Sequence, residues 1–182
     1  GMVHQEFSLI PGFRVSENIV LNRESTKKNI MGYLFGESIN KIDKNKNMER
    51  AQGAISKLGV GMTGKEEINE MAVAYKQFTE IAREIEREHT KLLVLDEPTA
   101  VLTEDEAEIL LSTMKNLAEK GIAIIFITHR LNEIMSVSDK VTVLRDGQLI
   151  NTISTKDTNV NQITEWMIGR KVEFSSTESS QI

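Results

Sequence analysis

The sequence has no cysteine, which excludes disulfides and thiolate metal sites together. Only three histidines occur among 182 residues, and they are scattered, so a histidine-rich metal centre is not expected. No apolar run approaches the roughly 20 residues that a helix needs to span a bilayer. The longest, Leu92–Leu95 and Ile122–Ile127, suit buried strands. A secretory leader is not visible either, because polar residues break up Phe13, Val15, Ile19 and Val20. A cytoplasmic location is the default expectation. Basic residues are outnumbered: 22 Lys and Arg against 27 Asp and Glu leave a net charge of −5, which argues against a nucleic-acid binder and its basic patch. What is present, 40% hydrophobic and 27% charged residues, is the composition of one folded domain with a real core.

Two textures divide the chain. From about Ser16 to Glu88 the pattern is helical, without a convincing strand. Met48, Ala51, Ile55 and Leu58 recur at helical spacing, and Gly59 stands where a helix C-cap belongs. Phe78, Ile81, Ala82 and Ile85 predict a second helix around Gln77–Arg87. From Lys91 onward, strands and helices alternate. Leu92–Leu95 reads as a buried strand, and Thr103 with Glu106 forms a capping box. The helix that follows carries Ile109, Leu110, Met114 and Leu117, and stops at Gly121. Ile122–Ile127 reads as a second buried strand and Leu131–Met135 as a short helix. Val141–Leu144 and Gln148–Ile150 flank Asp146-Gly147, a hairpin signal. A last helix over Val160–Ile168 ends at Gly169, and Ser175–Gln181 has the look of a frayed polar tail. The order implies α/β architecture with a parallel sheet, thin for its class because only two strongly apolar strands and a hairpin supply it.

The chemistry concentrates in Leu92-Leu93-Val94-Leu95-Asp96-Glu97-Pro98-Thr99-Ala100. Two carboxylates stand at the C-terminal end of a buried strand, where open α/β sheets bind ligands. Asp96 has the hard oxygen donors that suit Mg²⁺, usually through water. Glu97 is able to orient and deprotonate an attacking water. An acidic turn before a helix N-terminus would also place negative charge here. The second strand tips the balance: Ile122–Ile127 ends in Thr128-His129-Arg130, one strand–helix–strand unit later, bringing a histidine to the same sheet edge.

These residues resemble the ATP-binding cassette (ABC) family. Leu92–Ala100 is similar to its Walker B segment, and Ile127-Thr128-His129-Arg130 to its switch histidine. Val3-His4-Gln5-Glu6-Phe7-Ser8-Leu9-Ile10-Pro11-Gly12 resembles its Q-loop. His4–Pro11, Ser16-Glu17-Asn18-Ile19 and His129–Ile134 look most like the first cassette of tandem simple-sugar (ribose, galactose and xylose) importer ATPases. The resemblance covers Val3 to about Val172. It implies an incomplete P-loop-NTPase-type cassette: a Q-loop segment at 1–15, a helical subdomain at 16–88, the Walker B half of the parallel sheet with a C-terminal hairpin and helix at 89–172, and a flexible tail at 173–182. It also implies ATP and Mg²⁺ as cofactors. Glu97 would be the general base, Asp96 and Gln5 the Mg²⁺ ligands through water, and His129 the γ-phosphate contact.

The sequence departs from the family pattern in two places. The family's phosphate-binding loop precedes the Q-loop, and its amides, lysine and hydroxyl hold the phosphates and Mg²⁺. The 182 residues contain no equivalent. Gly59-Val60-Gly61-Met62-Thr63-Gly64-Lys65 matches G-x-x-x-x-G-K, but Glu66 replaces the Ser/Thr and a helix rather than a strand precedes it. It is expected to be a loop between helices, and the chain alone is expected to bind nucleotide weakly. The second departure is the signature stretch, matched by Met71-Ala72-Val73-Ala74-Tyr75. In the family a serine and glycines at this helix start reach the γ-phosphate held by the opposing subunit. Ala72 lacks that hydroxyl, Ala74 adds a methyl, and Tyr75 is bulky, so helix packing and retained phosphate contact both remain open for Ala72, Val73 and Ala74. Ala100–Thr103 matches the family's D-loop only loosely, and Thr103 has a sufficient explanation as an N-cap.

The resemblance implies ATP hydrolysis coupled to sugar import, in which two cassettes sandwich ATP and drive membrane permease subunits, served indirectly by a sugar-binding protein. The location would then be peripheral to the inner face of the cell membrane. A non-catalytic interaction remnant of a cassette and a non-transport cassette ATPase are the alternatives. Uncovered apolar strand edges predict a homodimer or strand-exchanged oligomer for the isolated chain.

Overall fold

The computed structural model describes residues 1–27, 41–87 and 90–170, so the expected tail at Ser175–Gln181 lies outside the described residues. Two compact units are present, Gly1–Thr128 and His129–Ile182.

The first unit runs β1 (Met2–Val3), α1 (Val15–Ile19), β2 (Thr26–Lys27), β3 (Lys41–Ile42), α2 (Lys44–Leu58), a 3₁₀ turn at Ile68–Glu70, α3 (Val73–Glu86), β4 (Leu92–Asp96), α4 (Glu104–Glu119) and β5 (Ala123–Ile127). Its main sheet has the order β1-β4-β5 and is parallel throughout, with Val3 opposite Leu95 and Asp96 opposite Ile127. The expected parallel architecture is therefore present. The apolar run of β4 splits by the two-residue period of a strand. Leu93 and Leu95 are fully buried, while Leu92 is 44% exposed. Ile125 and Ile127 on β5 are 50% and 47% exposed, and Met2 on β1 is 44% exposed. One face of the sheet is thus a core and the other carries open apolar side chains. Among the described residues β5 pairs only with β4.

Helices α1, α2 and α3 enclose a second part of the core, with Val15, Ile19, Ala51, Ile55, Leu58, Phe78, Ile81 and Ala82 all buried. Asp43 caps α2 by accepting from the Lys46 N–H at 3.2 Å, and Gly59 ends it at φ 73°. That left-handed backbone is one glycine adopts without steric cost. Three differences from the sequence reading stand out. A two-residue antiparallel ladder, β2 with β3, lies inside the block expected to be free of strands. Helix α3 begins at Val73, four residues before the expected start. The hairpin forms its own two-stranded sheet instead of extending the parallel one.

The second unit contains α5 (Leu131–Val137), β6 (Lys140–Arg145), β7 (Gln148–Ser154), a 3₁₀ turn at Thr155–Asp157 and α6 (Val160–Ile168). Asp146 and Gly147, at φ 51° and 75°, supply the two positive angles that a tight hairpin turn with the right twist requires. Ile134, Val141, Val143 and Ile163 form its core, with Trp166 and Ile153 packed against them.

Candidate functional site

Strand β4 delivers Asp96 and Glu97 to the C-terminal edge of the parallel sheet. Asp96 is its last residue. Pro98 then ends the ladder, because it has no N–H to donate. Between them Glu97 makes one sheet bond, donating its N–H to the Ile127 carbonyl at 2.9 Å. The Ala100 N–H in turn donates to the Glu97 carbonyl at 3.1 Å. Glu97 itself sits at φ 46°, a left-handed backbone that disfavours any residue with a Cβ.

That angle is informative because of who shares it. Among the described residues the other non-glycine positive angles belong to Asn22 and Asp146, side chains that tolerate this conformation. Glu97 is the exception: a long acid retained where the local backbone favours glycine or asparagine. Strain of this kind concentrates at functional sites.

Gln5 reaches the same edge by another route. The register Met2 to Val94 and Val3 to Leu95 runs β1 alongside β4, so the chain leaves β1 at the level where Asp96 ends β4. Gln5 follows Val3 by two residues and is exposed. His129 follows Ile127, the partner of Asp96, by two residues and opens the second unit. Gln5, Asp96 and Glu97 therefore issue from one end of one sheet in the first unit. No cluster of three or more His, Cys, Asp or Glu able to hold a metal occurs among the described residues. A site with one carboxylate, an amide oxygen and water suits Mg²⁺, which keeps several waters and binds phosphate alongside few protein ligands.

Ala72 is the N-cap of α3 and makes no side-chain cap bond, as a methyl must. The Tyr75 N–H donates to the Ala72 carbonyl at 3.1 Å. Ala74 is buried, whereas Val73 and Tyr75 are exposed, and the Tyr75 ring meets Phe78 edge-on at 6.2 Å. The Ala74 methyl is thus spent on packing. Met62, Met71, Ala72 and Tyr75 line a cavity of about 260 Å³ together with Glu66 and Glu70. Two carboxylates on that wall oppose a phosphate electrostatically.

The G-x-x-x-x-G-K look-alike is a loop that follows α2, as its context implied. The amides of its second half are already committed: Met62 N–H to the Val60 carbonyl at 2.9 Å, Gly64 N–H to Gln52 Oε1 at 3.3 Å and Lys65 N–H to Thr63 Oγ1 at 3.3 Å. Glu66 occupies the place an anion would want, accepting from the Thr63 hydroxyl at 2.7 Å and the Thr63 amide at 3.1 Å. Burial pushes its carboxyl pKa up, but the bonds from the Thr63 hydroxyl and the neighbouring amides outweigh that and hold it below the usual 4.5. Gly64 is packed so tightly that an added Cβ would lie 2.8 Å from Met48 Sδ and 3.0 Å from Ser16 Cβ. The loop is a joint between α2 and the 3₁₀ turn.

The segment after Gln5 carries an arrangement that the sequence reading missed. Ser8 donates its N–H to Glu80 Oε1 at 2.7 Å, and Arg83 Nη1 donates to the Ser8 carbonyl at 3.2 Å. Asn18, fully buried, accepts from the Ile10 N–H at 2.7 Å and donates to the Ile10 and Arg14 carbonyls at 3.2 Å each. The available signal was Glu80 itself, an acid on the face of α3 that also carries Ile81 and Gln77.

Comparison with known proteins identifies the family. The ABC transporter family matches residues 1–100. The ribose import ATP-binding protein RbsA 2 of Burkholderia ambifaria is 39% identical over 175 residues, covering 96% of this chain and 32% of the relative. RbsA of Geobacillus kaustophilus is 37% identical over 174 residues, covering 94% of this chain and 33% of the relative. The chain thus spans about a third of the length of these relatives. Among solved structures, an ABC transporter in an inward-facing conformation superposes with a TM-score of 0.71 at 24% identity, over 93% of this chain and 63% of that one. The dimeric ABC transporter cassette MJ0796 gives 0.64 at 19% identity, over 85% and 62%. At these identities the structural likeness speaks for the fold.

Proposed function

Since the chain belongs to the ABC transporter family, we propose that it is part of the ATP-hydrolysing subunit of a sugar importer, supplying the residues that act on the terminal phosphate. The observation that carries this is Glu97: an acid held in a left-handed backbone at φ 46°, at the end of a buried parallel strand and one residue past Asp96. In that position its carboxylate accepts a proton from water as the water attacks. Asp96 and Gln5 offer oxygen atoms to water around a magnesium ion, and such an ion, when bound, offsets phosphate charge. The resemblance of Ile127–Arg130 to the family's switch-histidine segment supports His129 as the γ-phosphate contact.

The likeness to ribose import proteins supports carbohydrate as cargo, membrane permease subunits and a second cassette as partners, and a position against the inner face of the membrane. No helix among the described residues is long and apolar enough to cross a membrane. The Gly59–Lys65 loop offers no ready phosphate cradle, since the amides of Met62–Lys65 are in use. The 182-residue chain alone is therefore proposed to bind Mg-ATP weakly. A second reading, a non-catalytic interaction module, draws on the acid-lined cavity beside Ala72.

A chimera separates the two. The matching third of Burkholderia ambifaria RbsA 2 is replaced by this chain, and ATPase activity and ribose uptake are measured with the permease. Retained hydrolysis that Glu97→Gln abolishes supports the proposal. A chimera that assembles with its permease yet hydrolyses nothing refutes it and favours the interaction module.

A further inference from the structure

Residues Glu6–Ile10 belong to no helix or strand, so their backbone groups need partners from elsewhere. At Ser8 both come from α3. Glu80 takes the N–H at 2.7 Å and Arg83 supplies the carbonyl's donor at 3.2 Å. The two side chains also pair with each other, and their side chains are only 4% and 15% exposed. Two groups withdrawn from water in this way hold a geometry more firmly than an exposed pair. Asn18 separately fixes Ile10. The segment that begins at Gln5 is thereby fastened to the helix whose first turn is the Ala72–Tyr75 stretch.

We propose that Glu80 and Arg83 are positioning residues for Gln5, acting through the Ser8 backbone to set where Gln5 stands at the sheet edge. The functional consequence rests on the reading of Gln5 as a Mg²⁺ ligand; the fastening itself does not. A shift of α3 would reach Gln5 through Ser8, and a loosened Ser8 would let Gln5 wander while leaving the chemistry of Glu97 intact.

The test uses the full chain and its lack of cysteine, which makes a single introduced thiol a unique label. A nitroxide is attached at Glu6→Cys, leaving Gln5 in place, and its mobility is read by electron paramagnetic resonance. Glu80→Met with Arg83→Met removes both strap bonds without leaving a buried charge unpaired, and circular dichroism and thermal melting verify the fold. The double variant is expected to loosen the label, with Glu80→Gln, which keeps an acceptor oxygen, falling between. An unchanged spectrum in the folded double variant overturns the proposal. In the chimera, the same double change is expected to raise the half-saturating Mg²⁺ about 10-fold, as loss of an outer-shell partner does, with turnover at saturating Mg²⁺ largely kept. A looser label with unmoved Mg²⁺ dependence overturns the positioning role. If the parent chimera fails to hydrolyse ATP, the proposed function falls, and the label still decides whether Glu80 and Arg83 hold the segment.

Discussion

Replacing Glu97 by asparagine is expected to give a more stable fold than replacing it by glutamine, while either change removes the carboxylate on which catalysis would depend. The reasoning is a backbone one. At φ 46° a residue with a Cβ pays roughly 1–2 kcal/mol relative to the right-handed region. Asparagine enters the left-handed region readily, so about half of that cost, roughly 0.5–1 kcal/mol, should be recovered. For a chain of this length that is a rise in melting temperature of about 1–4 °C. Glu97→Gln is the control, since it keeps the shape and length of glutamate and its strain but loses the charge. Glu97→Gly relieves the strain too, but freedom gained by the unfolded chain offsets about 0.5–1 kcal/mol of the benefit. The expected order of stability is thus Asn above Gln, with Gly, at a net gain of roughly 0–1.5 kcal/mol, close to Asn. Urea titrations of the wild type and the three variants measure this through the midpoint, with an unchanged slope showing that the unfolded state is comparable. If Glu97→Asn is no more stable than Glu97→Gln, the backbone carries no strain that matters. The inference from strain to function at this residue then fails.

Two further predictions concern buried charge. Glu86, with only 6% of its side chain exposed, binds Arg23 Nη1 at 2.7 Å and Arg50 Nη2 at 2.6 Å, and Arg50 Nη1 also donates to Ser25 Oγ at 2.9 Å. Glu86→Ala strands two half-buried guanidinium groups and is expected to cost about 3 kcal/mol, the low end for a broken buried pair; a loss below about 0.5 kcal/mol in urea unfolding, as for an exposed pair, would contradict this. Glu80 gives a pH dependence. Burial raises its carboxyl pKa above the ordinary 4.5, with Glu84 adding to the rise and Arg83, the Ser8 amide and His4 opposing it. The folded chain then holds this proton more tightly than the unfolded chain does, so the stability it contributes is complete below pH 4.5 and is lost as pH rises through the folded pKa. Glu80→Gln should therefore gain on the wild type between pH 4 and pH 7 in paired urea titrations, and a difference that is flat or falls with pH would refute the assignment.

Much of this fold was legible in the chain because its signals are local. Thr103 and Glu106 form the capping box that their spacing announced, with the Thr103 N–H donating to Glu106 Oε2 at 3.0 Å. Asp146-Gly147 makes the hairpin turn, and Gly59 and Gly169 end their helices in the left-handed region. The failures share a different cause. Strand β1 is two residues long and exists because Val94 and Leu95 are beside it. The start of α3 went unseen because Ala72 caps it with no side-chain bond to advertise the boundary. The fastenings of Ser8 to Glu80 and of Arg23 to Glu86 join residues 72 and 63 positions apart, a distance at which no periodicity reaches.

What joins the two classes is the acid in an unfavourable place. Glu97 defies the local backbone preference that Asn22 and Asp146 obey. Glu80 stands on a buried helix face where its neighbours Ile81 and Ala82 are apolar. A sequence that follows local rules nearly everywhere and breaks them at particular acids is marking positions where something besides stability selects the residue. The catalytic role proposed for Glu97 gives one such reason. For Glu80 the geometry supplies a reason of its own: it is the acid that reaches back across 72 residues to the segment carrying Gln5. The substitutions at Glu97 and Glu80 therefore test one idea from two sides. Relieving the first should raise stability above that of Glu97→Gln and end hydrolysis, whereas neutralising the second should remove the loss of stability that Glu80 causes as pH rises and leave hydrolysis waiting on magnesium.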